Sequence, residues 1–318
     1  MTAALPLRRM KIARPPSVLM TLVLALVIGG GVAVIGQQAT PVGWALGIVP
    51  ALLVLAVGLR RALRRWRVAR RSFPERWRAW LDTHVPLYAT ADAEARRRFE
   101  RDVQFALDEY AFEGVNGAAV TEARRLAIAA GIAALLHGRP SWELSGTKTV
   151  LVYPDRFDDS YYGGTYADYD GMAHEQGPII VSGPAVDASW SASDEADNVV
   201  LHELAHLFDF ANEGADGVPS LVDPASASSW QALVRREMQR VERGQSVLRP
   251  YAAEAPSEFF AVAVEAFFEQ PDALARHHAE LYAALVAFFN LDPAGHGAGH
   301  GADPDDATTS SETPATAT

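Results

Sequence analysis

Two uncharged apolar runs lie near the start of the chain, and they restrict its architecture more than any other feature. Ser17 to Gly36 is a Leu/Val/Ile/Gly/Ala run of 20 residues, and Val42 to Leu59 is a second of 18. A helix needs about 20 apolar residues to cross the hydrocarbon core of a bilayer, so each run has the length of a transmembrane helix. Gln37 to Pro41 between them is short and carries no Lys or Arg. Arg8, Arg9, Lys11 and Arg14 flank one end of the pair, and Arg60 to Arg71 flank the other. Basic residues stay on the cytoplasmic side, so both ends are expected in the cytoplasm and the turn outside. A cleaved signal peptide would need a small-x-small cleavage site and no second run. A buried core hairpin would not need the arginines. Pro50 is expected to kink the second run without preventing insertion.

The charge distribution agrees. Residues 1–71 hold eleven of the 28 basic residues and none of the 39 acidic ones, leaving the remainder with 17 basic residues and a formal charge of −22. So acidic a body is a poor partner for nucleic acid, which demands clustered cations. There is no cysteine, so a metal site must be built from His and carboxylates.

Arg60 to about Arg78 reads as a helix leaving the bilayer, with Trp66, Trp77 and Trp80 at or near the interface and the arginines as topology signal or anionic-lipid contact. Ser72-Phe73-Pro74 marks the start of a soluble domain. Helices are expected near 91–111, 121–137, 195–212, 227–243, 256–269 and 272–290, with short strands at Thr149–Tyr153 and Pro178–Ser182 and a loop over 155–176. Three parts result: a membrane anchor over 1–71, a soluble α+β domain over 72–292, and a tail over 293–318 too poor in apolar residues to fold. His296 and His300 in that tail form a weak chelator at best.

The chemistry concentrates in Asn198-Val-Val-Leu-His202-Glu203-Leu-Ala-His206-Leu-Phe-Asp209. Histidines four apart share one face of a helix, and both imidazoles can reach one ion. Glu203 is rotated by about 100° from His202, beside the ion, placed to take a proton from a water rather than to ligate. The competing reading is a helix with two surface histidines. Against it, the flanking positions are all apolar, so polar groups at 202, 203 and 206 need partners. A catalytic zinc wants a third protein ligand. Glu258, just after Pro256-Ser257, is the best candidate, and Glu265 lies two turns on along the same face. N-terminal capping by Glu258 and solvent exposure of Glu265 are the alternatives.

These segments resemble the Mlc titration factor A family of zinc-dependent peptidases. The likeness rests on 198–206 together with Phe73-Pro74-Glu75-x-Trp77, Val85-Pro86-Leu87-Tyr88, Phe112-Glu113-Gly114, Leu151-Val152-Tyr153-Pro154, Ala215-Asp216-Gly217-Val218-Pro219 and Pro256-Ser-Glu258-Phe-Phe-Ala-Val. It covers roughly 72–292 and implies a mainly helical zincin-like metallopeptidase domain with a small sheet. It also implies Zn2+ on His202, His206 and Glu258, with Glu203 as general base for a peptide or protein substrate. The catalytic domain of anthrax lethal factor is similar, with a Tyr seven residues before its third ligand. Tyr251 has that spacing, which implies an oxyanion contact; a packed aromatic before a turn is the other reading. A transcriptional repressor is the partner the family implies, either as a target or as the captive of a metal-stabilised binding module that cuts little. Soluble family members lack the apolar hairpin, and the Tyr/Gly/Asp-rich stretch 155–176 is a further departure.

Overall fold

A computed structural model describes residues 15–140, 142–144, 147–155, 171–173, 177–191, 197–209, 219 and 226–295. The first apolar run forms α1 (Pro15–Ala39), which over Ser17–Ala39 is long and apolar enough to cross a bilayer. Most of its side chains point outward, Leu26 being 75% exposed, while Thr21 and Ala25 are buried. The second run differs from the expected continuous helix. It starts as a 3-10 turn (Gly43–Gly47), continues as α2 (Ile48–Gly58), and bends by 50° into α3 (Arg60–Ala69). Among the described residues only α1 therefore meets the test of a full span alone; the second segment passes it only jointly with α3. The 5-residue turn and 11-residue helix together reach about 26 Å, a little short of the roughly 30 Å hydrocarbon core.

Glycines let the two segments pack closely. A Cβ on Gly43 would lie 1.9 Å from the Gly36 carbonyl oxygen, and one on Gly47 2.1 Å from that of Gly29. The two segments thus touch backbone to backbone, as small residues permit between helices in lipid. Pro50 falls in the first turn of α2, where its missing N–H is harmless. The 3-10 turn precedes it and the 50° bend follows at Leu59, so neither break falls at Pro50.

The expected helix over 60–78 is also divided. Pro74 is extended, and α4 (Glu75–His84) begins after it, followed by α5 (Pro86–Ala89) and α6 (Ala93–Glu109). Proline disfavours helical backbone at the residue before it, so the chain turns at 70–74. Trp77 and Trp80 leave the interface as a result. The Trp77 Nε1–H donates to Glu122 (2.9 Å), Trp80 stacks on His84 (4.6 Å), and both pack on the domain core.

Next come β1 (Ala111–Gly114), α7 (Glu122–Leu136), β2 (Thr149–Tyr153), β3 (Gly171–Ala173), β4 (Ile179–Ser182) and α8 (Gly183–Ala188). Then follow α9 (Val199–Asp209), α10 (Ala227–Glu242), a 3-10 turn (Pro250–Ala253), α11 (Pro256–Glu269), α12 (Pro271–His277) and α13 (Ala279–Phe289). The fold is mostly helical with one small sheet, ordered β1-β2-β4-β3. β1, β2 and β4 are parallel, and β3 is an antiparallel edge strand. Parallel neighbours require a crossover, and α7 supplies the one from β1 to β2. Residues 156–170 and 174–176 of the expected loop, and 296–318 of the expected tail, lie outside the described residues.

α9 runs through the middle of the core. Val199, Val200, Leu201, Leu204, Ala205, Leu207 and Phe208 are all buried. Gly131 of α7 allows this depth, because a Cβ there would meet Val200 Cγ1 at 2.6 Å. α11 packs on α9 with ten consecutive buried residues, Phe259 to Phe268. These two helices are the site's frame.

A polar staple fixes the loop ahead of the 3-10 turn. The buried His278 ring donates from Nδ1 to Glu237 (2.6 Å), while its Nε2 accepts from Val247 N–H (3.3 Å) and faces Ser246 Oγ (3.1 Å). Burial, helped by the charges of Arg240 and His277 against the opposing pull of Glu237, lowers the His278 pKa. The folded ring therefore stays neutral at a pH where the unfolded one, near 6.5, takes up a proton. The unfolded state then binds more protons, so stability falls as pH drops below about 6.5. Unfolding free energy measured from pH 7 to 5 should decline less steeply in His278→Gln than in the wild type.

Candidate metal centre

Asn198 starts α9 as its cap, with Oδ1 accepting the Leu201 N–H (3.0 Å). Its placement sends His202 and His206 to one face, their rings 4.9 Å apart and nearly perpendicular. Glu258 arrives from the first turn of α11. Its Oε2 lies 3.1 Å from His202 Nε2 and 3.6 Å from His206 Nε2. The three ligand atoms all fall within 4.8 Å of one another. Ligands about 2.05 Å from a tetrahedral zinc are separated by about 3.3 Å, so the spacings around Glu258 are those of a metal's coordination shell.

Electrostatics point the same way. Burial works against a charge on His202, but Glu258 and Glu265 outweigh it and push its pKa up to about 10. Burial also opposes the Glu258 charge, and hydrogen bonds from His202 and His206 overcome it, holding that carboxyl well below the usual range. The pocket attracts a cation. Glu203, 4% exposed, has an Oε2 with no hydrogen-bond partner among the described residues. Burial raises its pKa to about 7, against the pull of both histidines. A buried carboxylate beside the three converging donors, poised near neutrality, has the properties of a proton acceptor. The residues present therefore fit a divalent ion with an adjacent base.

Glu265 has a larger part than its sequence position suggested. It is fully buried, and its Oε1 accepts from His202 Nδ1 (2.8 Å) and Arg249 Nη2 (2.6 Å). Its Oε2 accepts the Asn198 N–H (2.6 Å). One carboxylate thus holds the imidazole, the start of α9 and the arginine before the 3-10 turn. Fixing Nδ1–H leaves Nε2 facing Glu258. Arg249 is also paired with Asp197 (2.9 Å), and Asn198 Nδ2 donates to Glu269 (2.8 Å). Burial raises the Glu269 pKa to about 7.

Tyr251, in the 3-10 turn, places its ring 5.9 Å from that of His202. All five candidate residues from the sequence are therefore gathered at one place. Asn198 and Arg249 were not singled out as site residues. A capping Asn ahead of α9 was the available signal for the first, and nothing local marks the second. The Asp209 side chain lies outside the described residues.

The profile of the glucose-regulated metallo-peptidase M90 family matches residues 60–290. The chain belongs to that family. The match begins at the first residue of α3, so the apolar hairpin lies outside it. The uncharacterized protein slr2042 of Synechocystis sp. is 30% identical over 249 residues, which is 72% of this chain and 89% of the relative. Mlc titration factor A of Yersinia enterocolitica is 28% identical over 238 residues, 68% of this chain and 85% of the relative. Mlc titration factor A of Pectobacterium atrosepticum is 31% identical over 167 residues, 47% and 62% of the two chains. M90 membership supports a metallopeptidase-like domain, and the His202, His206 and Glu258 cluster is its candidate metal site.

Proposed function

We propose that this chain is a zinc-dependent peptidase anchored in the cytoplasmic membrane, with its catalytic domain on the cytoplasmic side. The observation that carries this reading is the meeting of His202, His206 and Glu258 beside the buried, unpartnered Glu203 oxygen. Two imidazoles and one carboxylate without sulfur suit zinc and leave a coordination position open. When bound, zinc supplies Lewis acidity, polarising a substrate carbonyl and making water nucleophilic near neutral pH. Glu203 accepts the proton of the attacking water on its carboxylate and passes it to the departing amine nitrogen. The Tyr251 hydroxyl donates a hydrogen bond to the substrate oxygen that gains negative charge. Glu265 keeps the His202 ring in the orientation that this arrangement needs.

α1 and the segment packed on it through glycines form the anchor, a hairpin of two spans with basic residues at both ends. Residues 72–292 form the peptidase domain and 293–318 a tail. A second reading has one observation in its favour: two of the relatives are called Mlc titration factor A. On that reading a metal-stabilised domain captures a transcriptional repressor at the membrane and cuts little.

One experiment separates them. The full chain in detergent is incubated with a peptide library and the products are read by mass spectrometry. Cleavage that stops with a zinc chelator and returns with added zinc is expected. Absence of cleavage under zinc-loaded conditions would favour capture.

A further inference from the structure

The arginines of α3 and the two that follow it divide into a set that pairs with the domain and a set that does not. On the inner face Arg61 pairs with Glu109 (3.1 Å) and Glu143 (2.8 Å), and Arg65 pairs with Glu109. Arg64 binds Asp108, Arg71 approaches Asp108 at 3.8 Å, and Val68 is buried. Lys148 also reaches Glu109 (2.7 Å). Asp108 and Glu109 at the end of α6, together with Glu143, therefore pair with four of the seven arginines, and α3 is fastened to the domain. Of these, Arg65 is mostly covered by the domain, while Arg61, Arg64 and Arg71 keep exposed side chains alongside their ion pairs.

The outer face is different. Arg60, Leu63, Arg67 and Arg70 follow one another at three- and four-residue steps, which places them in a single stripe. Arg60, Arg67 and Arg70 are exposed, as are Leu63 (45%) and Trp66 (43%), and Arg70 lies over the Trp66 ring at 3.8 Å. Neither Arg60 nor Arg67 has an ion pair among the described residues, and α3 contains no acidic residue. Leu and Trp beside unneutralised arginines match the boundary between headgroups and acyl chains. The position also fits. α3 follows the apolar Gly43–Gly58 segment directly and bends 50° away from it, so it slants towards the bilayer plane.

The geometry points to the outer face of α3, Arg60, Leu63, Trp66, Arg67 and Arg70, as a docking surface for anionic phospholipid headgroups. This inference rests on the membrane-anchor reading. With one face on lipid and the other on Asp108 and Glu109, α3 is a bracket that fixes how the domain stands on the membrane. The cationic face gains from each negative headgroup, and the apolar pair keeps the helix at the boundary.

The absence of native cysteine allows clean labelling. Full-length chains with Leu26→Cys, Leu63→Cys or Glu242→Cys carry a fluorophore, in bilayers of phosphatidylcholine alone or mixed with phosphatidylglycerol. Nitroxide lipids serve as quenchers. With headgroup nitroxides and phosphatidylglycerol, quenching at 63 should exceed that at 242 by about twofold or more. It should fall towards the 242 value without phosphatidylglycerol, or when Arg60, Arg67 and Arg70 are replaced by Gln. Quenching at 63 no greater than at 242, or equal in both lipids, overturns the proposal. The Leu26 label tests the anchor separately. If acyl-chain nitroxides quench it while 63 fails, only the bracket is wrong; if they do not, the anchor reading falls too.

Discussion

Replacing Glu203 with Gln is expected to lower kcat about a hundred- to ten-thousand-fold, a loss of about 3–5 kcal/mol in transition-state stabilisation. The substitution keeps the shape of the side chain and removes its capacity to accept a proton. Glu203 belongs to neither the ligand trio nor the Glu265 network. Zinc content and unfolding midpoint should therefore stay near wild type, and KM should move little. Peptidase activity within tenfold of wild type would exclude Glu203 as the general base. Loss of zinc together with activity would show that Glu203 acts in holding the metal.

The second large effect concerns Glu265. Glu265→Gln places an amide NH2 where one of two carboxylate oxygens now accepts hydrogen bonds, so it opposes either the Asn198 N–H or the donors of His202 and Arg249. Breaking one partner of a buried charged network costs about 3–5 kcal/mol of stability. The freed His202 ring should also reduce zinc affinity by about ten- to a hundredfold. Denaturant unfolding and competition with a chromophoric chelator measure the two quantities independently. If stability falls while zinc affinity stays within about twofold, Glu265 is a structural residue only.

The site was largely legible because its chemistry follows local periodicity. His202 and His206 are one helical turn apart, and Glu258 and Glu265 are charges on a helix that is otherwise buried. What could not be read was the link between elements. Glu265 meets Asn198 across 67 positions and His202 across 63, and neither distance leaves a trace in composition. β2 and β4 were visible as short apolar runs. β1 begins at Ala111, where the expected helix ends, and only its pairing of Ala111 with Thr149 and Phe112 with Val150 defines it. β3 is likewise defined by its partner β4. Arg60 to Arg71 looked like one uniform cationic stretch. Its division into a domain-facing and an outward-facing set depends on Asp108, Glu109 and Glu143, far along the chain.

The most direct test is metal content of the purified full-length chain by elemental mass spectrometry. The wild type should carry one zinc per chain, and His202→Ala, His206→Ala and Glu258→Ala should each lose most of it while remaining folded by circular dichroism. A wild type without stoichiometric metal, or three variants that keep theirs, would contradict a zinc centre built from these residues.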